Sequence, residues 1–204
     1  PDTAGPSLGP RLERIAEVQV VLASVESMLP ADDERPGEWQ RLLDSFVSTS
    51  FSEPTVNARL DELLAEAADL RAGVVGPEPF TFTLTGDASI DVRIGNTLDE
   101  PLDVIVRLSS QRLGFPAGDQ RVTLASDATT IVNVPIEVRS NGTSAVVVDV
   151  LTPAGEPLIE PVTLTSRVNA LTGFAQVLTG AFVLILAAWW FQNWRAKRRA
   201  AAGG

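Results

Sequence analysis

Apolar residues recur at helical spacing over the first third of the chain. Between Leu12 and Leu29 they fall every third or fourth position, which predicts an amphipathic helix that Pro30 ends. A second helix is predicted to begin between Asp33 and Pro36, where acidic residues suit a helix N-terminus. It would bury Trp39, Leu42, Leu43, Phe46 and Val47. A third is predicted from Pro54 to a C-cap at Gly73. Residues 1–76 are therefore predicted to form a helical hairpin or bundle.

After Gly76-Pro77 the hydrophobic pattern changes to an alternation with a period of about two residues, which is typical of strands. Turn-forming pairs separate the alternating runs, and Asn141-Gly142 is the strongest hairpin signal among them. About seven short strands in this arrangement predict an Ig-like all-β sandwich over residues 77–167. The predicted strands are 80–85, 89–94, 102–109, 120–124, 129–138, 144–151 and 158–167.

A third pattern covers residues 168–194, which carry no charged side chain. As a helix, the run 171–191 would extend roughly 30 Å, the thickness of the hydrocarbon layer of a bilayer. Four basic residues follow it, whereas only Arg167 lies close before it, so the positive-inside rule predicts a cytoplasmic C-terminus. The chain is thus expected to be a single-pass type I protein of the cell membrane with an extracytoplasmic N-terminus. Because Pro1 is not preceded by an export signal, it is expected to be the C-terminal piece of a longer protein.

Composition narrows the classes of partner. Residues 1–167 carry 12 Arg and all 26 acidic residues, a formal charge of −14, so nucleic acid is not expected as a partner. The basic cytoplasmic tail, residues 195–204, suits membrane lipid with anionic headgroups. Cysteine is absent, so the extracytoplasmic part must depend on its hydrophobic core rather than on disulfides.

Two sets of residues in the predicted transmembrane helix are candidate contact sites. Gly173, Gly180 and Ala187 recur every seventh position with Gln176 near the same face, which favours close packing against another membrane helix. The alternative is that small residues are simply common in membrane helices. The second set predicts the cytoplasmic membrane interface, through indoles in the headgroup layer and basic topology determinants. It comprises Trp189, Trp190, Trp194, Arg195, Lys197, Arg198 and Arg199.

The order of these segments resembles the C-terminal half of an actinobacterial family of single-pass membrane proteins of unknown function. The resemblance lies in the order helical segment, sandwich and single span, and in the motifs 80–85 (FTFTLT), 91–96 (DVRIGN), 101–104 (PLDV) and 152–155 (TPAG). Members are encoded beside the lipid II flippase of peptidoglycan synthesis. The resemblance therefore implies a part in cell-envelope assembly, with the flippase as a partner.

Catalytic and metal-binding patterns are weak. Without His or Cys, neither a Ser-His-Asp nor a Cys-His arrangement can form, and neither a cofactor nor a metal is expected. Residues 142–146 resemble a nucleophile elbow but lack its closing Gly and its strand-to-helix context. The acidic pairs in 32–34 and 99–100 are expected to serve a helix N-terminus and a turn.

These observations favour a non-enzymatic membrane-anchored scaffold that docks on a polytopic membrane protein and has no small-molecule substrate. One alternative is a carbohydrate-binding accessory module of an envelope enzyme whose catalytic domain lies upstream. The lack of Trp and Tyr in 77–167 argues against that alternative. An adhesion or spacer domain is the other.

Overall fold

The computed structural model describes residues 9–48, 50–85 and 88–168, together with Phe182, Leu186 and Trp190. Three helices precede nine strands, which confirms the predicted α+β class for this part of the chain. The helices are α1 (Gly9–Glu26), α2 (Arg35–Phe46) and α3 (Glu53–Ala72). The strands are β1 (Val74–Val75), β2 (Thr81–Leu84), β3 (Ala88–Asn96), β4 (Leu102–Ser110), β5 (Leu113–Gly114), β6 (Gln120–Leu124), β7 (Ala128–Val138), β8 (Gly142–Leu151) and β9 (Val162–Val168).

The helices bury the apolar stripes that their spacing predicts. In α3, Ser52 is the N-cap, its hydroxyl accepting a hydrogen bond from the Thr55 amide, and Gly73 is the C-cap. Two expected core positions are wrong, because Leu12 is 45% exposed and Val47, just beyond the end of α2, is 51% exposed. Arg11, the neighbour of Leu12, is buried instead, since its guanidinium group binds the segment that joins α2 to α3. The stripes bury Ile15, Val18, Leu22 and Val25 from α1, Trp39, Leu43 and Phe46 from α2, and Val56, Leu60, Leu63, Ala67 and Leu70 from α3.

The strands form two sheets that pack face to face around alternating buried residues. One sheet has the order β1-β3-β7-β5 and the other the order β2-β9-β8-β4-β6. All neighbours are antiparallel except β2 and β9, which run parallel. Alternation is clearest in β4 and β7, where every second residue enters the core. The seven predicted strands are all present, and β1 and β5 are two-residue additions.

The predicted hairpin at Asn141-Gly142 is wrong. Strands β7 and β8, which flank this pair, belong to different sheets, so the connection crosses from one layer of the sandwich to the other. Gly142 adopts a φ of +114°, which an L-residue rarely adopts. The pair therefore makes a sharp turn, as its residue types indicate. The register of β7 with β3 and of β8 with β4 and β9 then places its two strands in separate sheets.

A continuous hydrophobic core joins the helices to one end of the sandwich. Backbone hydrogen bonds cross the junction, from the Asp103 amide to the Met28 carbonyl at 2.7 Å and from the Thr97 amide to the Gly73 carbonyl at 2.9 Å. A buried hydroxyl pair, Ser24 and Thr152, lies 3.1 Å apart across the same junction. The change from helix to strand near residue 76 is thus not a break in the core.

The opposite end of the sandwich is the one at which β9 reaches Val168. We call it the exit end, and it comprises the β4–β5 connection, the β7–β8 connection and the end of β9. Val168 is 3% exposed and pairs with Gly142, so it belongs to the sandwich rather than to the predicted span. Within residues 9–48, 50–85 and 88–168, no helix is long and apolar enough to cross a membrane.

Candidate functional site

Most residues predicted to contact a membrane or a partner lie outside the described part of the chain. The exception is Trp190, which is helical and 66% exposed. Phe182 and Leu186 are also helical, and they are 64% and 58% exposed. The residues outside the described part are Gly173, Gln176, Gly180, Ala187, Trp189, Trp194, Arg195, Lys197, Arg198 and Arg199.

Three arginines gather at the exit end. The Arg112 carbonyl accepts hydrogen bonds from the Arg139 amide at 3.0 Å and the Ser140 amide at 3.3 Å, which joins the β4–β5 connection to the end of β7. The Arg112 guanidinium group donates to the Asn141 carbonyl at 2.6 Å. Arg167 joins them because its register partner on β8 is Thr143, next to Gly142. All three side chains are exposed.

Sequence reasoning missed this group because the three arginines are more than 25 residues apart and only the topology brings them together. A signal was nevertheless present. Each arginine lies at the end of a predicted strand or within three residues after it, and alternating strand directions place those ends on one side of the sandwich. Tracing strand direction, rather than searching for a local motif, would have predicted the group.

A hydroxyl-lined groove adjoins Arg112 on the outer face of the β4–β8 pair. Its volume is about 590 Å³. The Ser110 hydroxyl lies 2.8 Å from the Ser144 hydroxyl, and Ser144 also lies beside Ser166. Residues 142–146 lie within β8 rather than in a strand-to-helix turn, so Ser144 is not part of a nucleophile elbow. The groove is lined by Ser109, Ser110, Gln111, Arg112, Thr143, Ser144, Ala145 and Val147.

A second groove opens where the edges of the two sheets meet, between β2 and β3. It has a volume of about 660 Å³ and an apolar floor. Phe80 and Phe82 line it, with ring centroids 5.8 Å apart and planes inclined at 50°. Phe80 is 38% exposed. Among the described residues, β1 pairs with β3 only at Gly95 and Asn96, so the rest of this edge borders the groove.

The acidic pairs at the helical end form an ion-pair cluster around Arg35. Its guanidinium group donates to both Asp33 oxygens, at 2.5 Å for the closest pair, and to Glu100 on the β3–β4 connection. The hydrogen bond from Arg35 holds the pKa of Asp33 below its ordinary value, and the two carboxylates raise the pKa of Arg35. No side chain caps α2 at Glu34, and Asp33 instead accepts the Arg35 amide at 2.9 Å. The cluster thus fastens α2 to the sandwich.

At the surface of the sandwich, Arg107 donates to Asp119 at 2.6 Å, and this hydrogen bond lowers the pKa of Asp119. Among the described residues, no group of three or more acidic side chains is arranged to hold a metal ion.

No family model and no curated protein matches the chain. Similar solved structures include Salmonella alpha-2-macroglobulin reacted with methylamine, which is 19% identical over 48% of this chain with a TM-score of 0.37. The chain covers 7% of that protein. Another is a Caenorhabditis elegans protein described as an "MSP-domain protein like family member", which is 13% identical with a TM-score of 0.31. The match covers 45% of this chain and 94% of that protein. Likeness at this level carries no argument about function, and the two-sheet architecture follows from the strand pairing itself.

Proposed function

We propose that the chain is a non-enzymatic, membrane-anchored interaction protein of cell-envelope assembly. In this proposal, residues 9–168 lie outside the membrane, the run 171–191 crosses it, and the basic tail is cytoplasmic. The partner is a polytopic membrane protein. The resemblance to the actinobacterial family favours the lipid II flippase of peptidoglycan synthesis.

The observation that carries the proposal is the end of β9. This strand pairs with β8 and β2 up to Val168, so only Asn169 and Ala170 separate the sandwich from the apolar run. Two residues extend at most about 7 Å. A sandwich attached with so little slack lies against the membrane surface, within reach of the extracytoplasmic loops of a neighbouring protein.

The exposed helical residues support a division of the span into two faces. Phe182, Leu186 and Trp190 follow one another at intervals of four residues and are all exposed. At about 100° per residue, the small residues at Gly173 and Gly180 fall on the opposite side of one continuous helix. Large apolar residues would then face lipid while the small residues face the partner helix.

Copurification tests the packing face. Gly173→Leu, Gly180→Leu and Ala187→Leu, combined in the tagged full chain, are expected to reduce recovery of the flippase at least severalfold, because the larger side chains hold the helices apart. The matched control is Ala175→Leu with Phe182→Leu, on the other side of the helix, which should leave recovery unchanged. Equal recovery with both sets would refute docking through the small residues.

A carbohydrate-binding module is a second candidate, because Phe80 and Phe82 line a groove of suitable size. Aromatic rings beside a groove are a common way to bind sugar faces. If this candidate is right, the full chain in detergent will sediment with purified peptidoglycan, and Phe80→Ala with Phe82→Ala will abolish this. Ile131→Ala, a change at another exposed apolar residue of the sandwich, is the control. Sedimentation that is insensitive to the Phe changes would exclude the groove as the site.

A further inference from the structure

We propose that the exit end of the sandwich binds the anionic headgroups of membrane phospholipids and thereby seats the sandwich on the membrane. Arg112, Arg139 and Arg167 would supply the positive charge, and the hydroxyl-lined groove would accommodate a phosphodiester. This inference rests on the proposed function, since it takes the apolar run after Val168 to be the membrane anchor.

The arginines of the described residues differ in whether they have a carboxylate partner. Elsewhere in the described part of the chain, seven of the nine arginines have a carboxylate oxygen of a described residue within 4.0 Å, and Arg71 and Arg93 do not. Arg112, Arg139 and Arg167 have none among the described residues, although residues 1–167 carry more than twice as many acidic residues as arginines. Cations that lack an internal partner, in a protein of this net charge, are available for an external anion.

The backbone leaves space for the guanidinium groups of Arg112 and Arg139. Two glycines give them room, since a Cβ at Gly142 would lie 2.8 Å from Arg112 Nη1 and a Cβ at Gly114 would lie 3.0 Å from Arg139 Nε. The hydrogen bond from Arg112 to the Asn141 carbonyl uses one nitrogen of its guanidinium group. Arginine donates from a planar fork that matches phosphate oxygens, so its remaining donors suit a headgroup.

The groove beside Arg112 adds neutral hydroxyl donors to this charge. Ser109 and Thr143 line it from the outer face of the sheet, and Arg167 lies next to Thr143 through their strand register. Hydroxyl groups and guanidinium groups are the usual donors to phosphodiester oxygens.

The position at which strand β9 ends favours lipid over a free anion as the occupant. β9 ends at this end of the sandwich, two residues before the apolar run, so the same surface that carries the arginines would face the headgroup layer. The acidic helices lie at the opposite end, away from an anionic surface. The basic exit end and the acidic helical end therefore favour the same orientation, with the exit end toward the membrane.

The absence of cysteine allows a clean test on the full chain. Ser140→Cys carries an environment-sensitive fluorophore at the exit end, and Ala31→Cys carries it beyond α1 as the distal reference. The labelled chain is incorporated into nanodiscs of phosphatidylcholine alone or with phosphatidylglycerol, and quenching by aqueous acrylamide is measured. We expect anionic lipid to protect the label at position 140 and not the label at position 31.

A second experiment changes the positive charge of the exit end and leaves the membrane anchor unaltered. Arg112→Gln, Arg139→Gln and Arg167→Gln together should abolish the protection, with the ratio of docked to free sandwich falling about fivefold for each arginine. The three corresponding Lys substitutions should retain it. The matched control is Arg41→Gln, Arg59→Gln and Arg121→Gln, which removes the same charge at exposed ion pairs.

Three outcomes would overturn the inference. Protection that is equal in both lipid compositions, in a chain that enters the nanodisc, would overturn lipid docking and leave the anchor intact. Failure of the chain to enter the nanodisc would overturn the anchor and the docking together. Equal protection by inorganic phosphate in phosphatidylcholine nanodiscs would assign the surface to a free anion instead.

Discussion

At the scale of single residues, Arg11 shows how a charged side chain can hold a fold together. It lies on the buried side of α1, and its guanidinium group donates to the carbonyls of Ser48 and Phe51 at 3.0 and 3.1 Å and to Glu53. These carbonyls belong to the α2–α3 connection, where helix ends leave acceptors without partners in their own helix. Hydrophobic periodicity cannot indicate such a role, because an arginine next to Leu12 fits the polar face equally well.

We expect Arg11→Ala to lower the free energy of unfolding by about 2–4 kcal/mol, since it leaves several acceptors without a donor. Arg59→Ala, which removes an exposed ion pair with Glu62, should cost under about 1 kcal/mol. Urea unfolding of residues 1–168 measures both. Similar small losses for the two variants would show that the Arg11 contacts contribute little.

The Asp33 carboxylate makes the junction sensitive to acid. The hydrogen bond from Arg35 lowers the pKa of Asp33, so the unfolded state binds a proton more readily than the folded state. Stability from Asp33 is therefore fully present above its unfolded pKa, about pH 4, and is lost as the pH falls through the lowered folded pKa. Asp33→Asn should lower the urea midpoint at pH 7 and reduce the loss between pH 5 and pH 3. Asp61→Asn, at an exposed ion pair, should leave this profile unchanged.

At the scale of elements, the sequence predicts what is local and misses what depends on pairing. Alternation of apolar and polar residues over five or more positions was enough to predict all seven longer strands. Apolar residues at helical spacing were enough to predict the three helices. The two-residue strands β1 and β5 exist only because β3 and β7 offer them a partner, so no pattern marks them. Asn141-Gly142 indicates a turn correctly, but its residues do not determine whether the chain returns to the same sheet. For the same reason the arginines of the exit end, which turns bring together, were not predicted as a group.

The β7–β8 turn depends on a glycine at position 142. Alanine there would have to adopt a φ of +114° and would bring its Cβ close to Arg112 Nη1. We expect Gly142→Ala to cost about 1–3 kcal/mol in the free energy of unfolding. Gly118→Ala is the control, since its φ is +63° and nothing lies within 4 Å of the added Cβ. An equal cost at the two positions would show that contact with Arg112 does not matter.

At the scale of the whole molecule, the helices and the sandwich should behave as one cooperative unit. Their core is continuous, and hydrogen bonds from the sandwich to Met28 and Gly73 cross the junction. A helical domain merely tethered to a sandwich would instead open by itself, leaving the strands protected. The distinction matters for the proposed function, because a rigid unit transmits the position of the exit end to the helices at the opposite end.

Leu60→Ala tests this cooperativity. Leu60 is fully buried in α3, so the cavity should cost about 2–5 kcal/mol. If the molecule unfolds as one unit, hydrogen exchange at the Val148 amide in β8 should accelerate by the same free energy as exchange at the Val25 amide in α1, although β8 does not contain the mutation. Val20→Ala, at an exposed position of α1, should change neither rate. Acceleration confined to the helices would show two independent units, and the sandwich would then seat on the membrane without fixing where the helices lie.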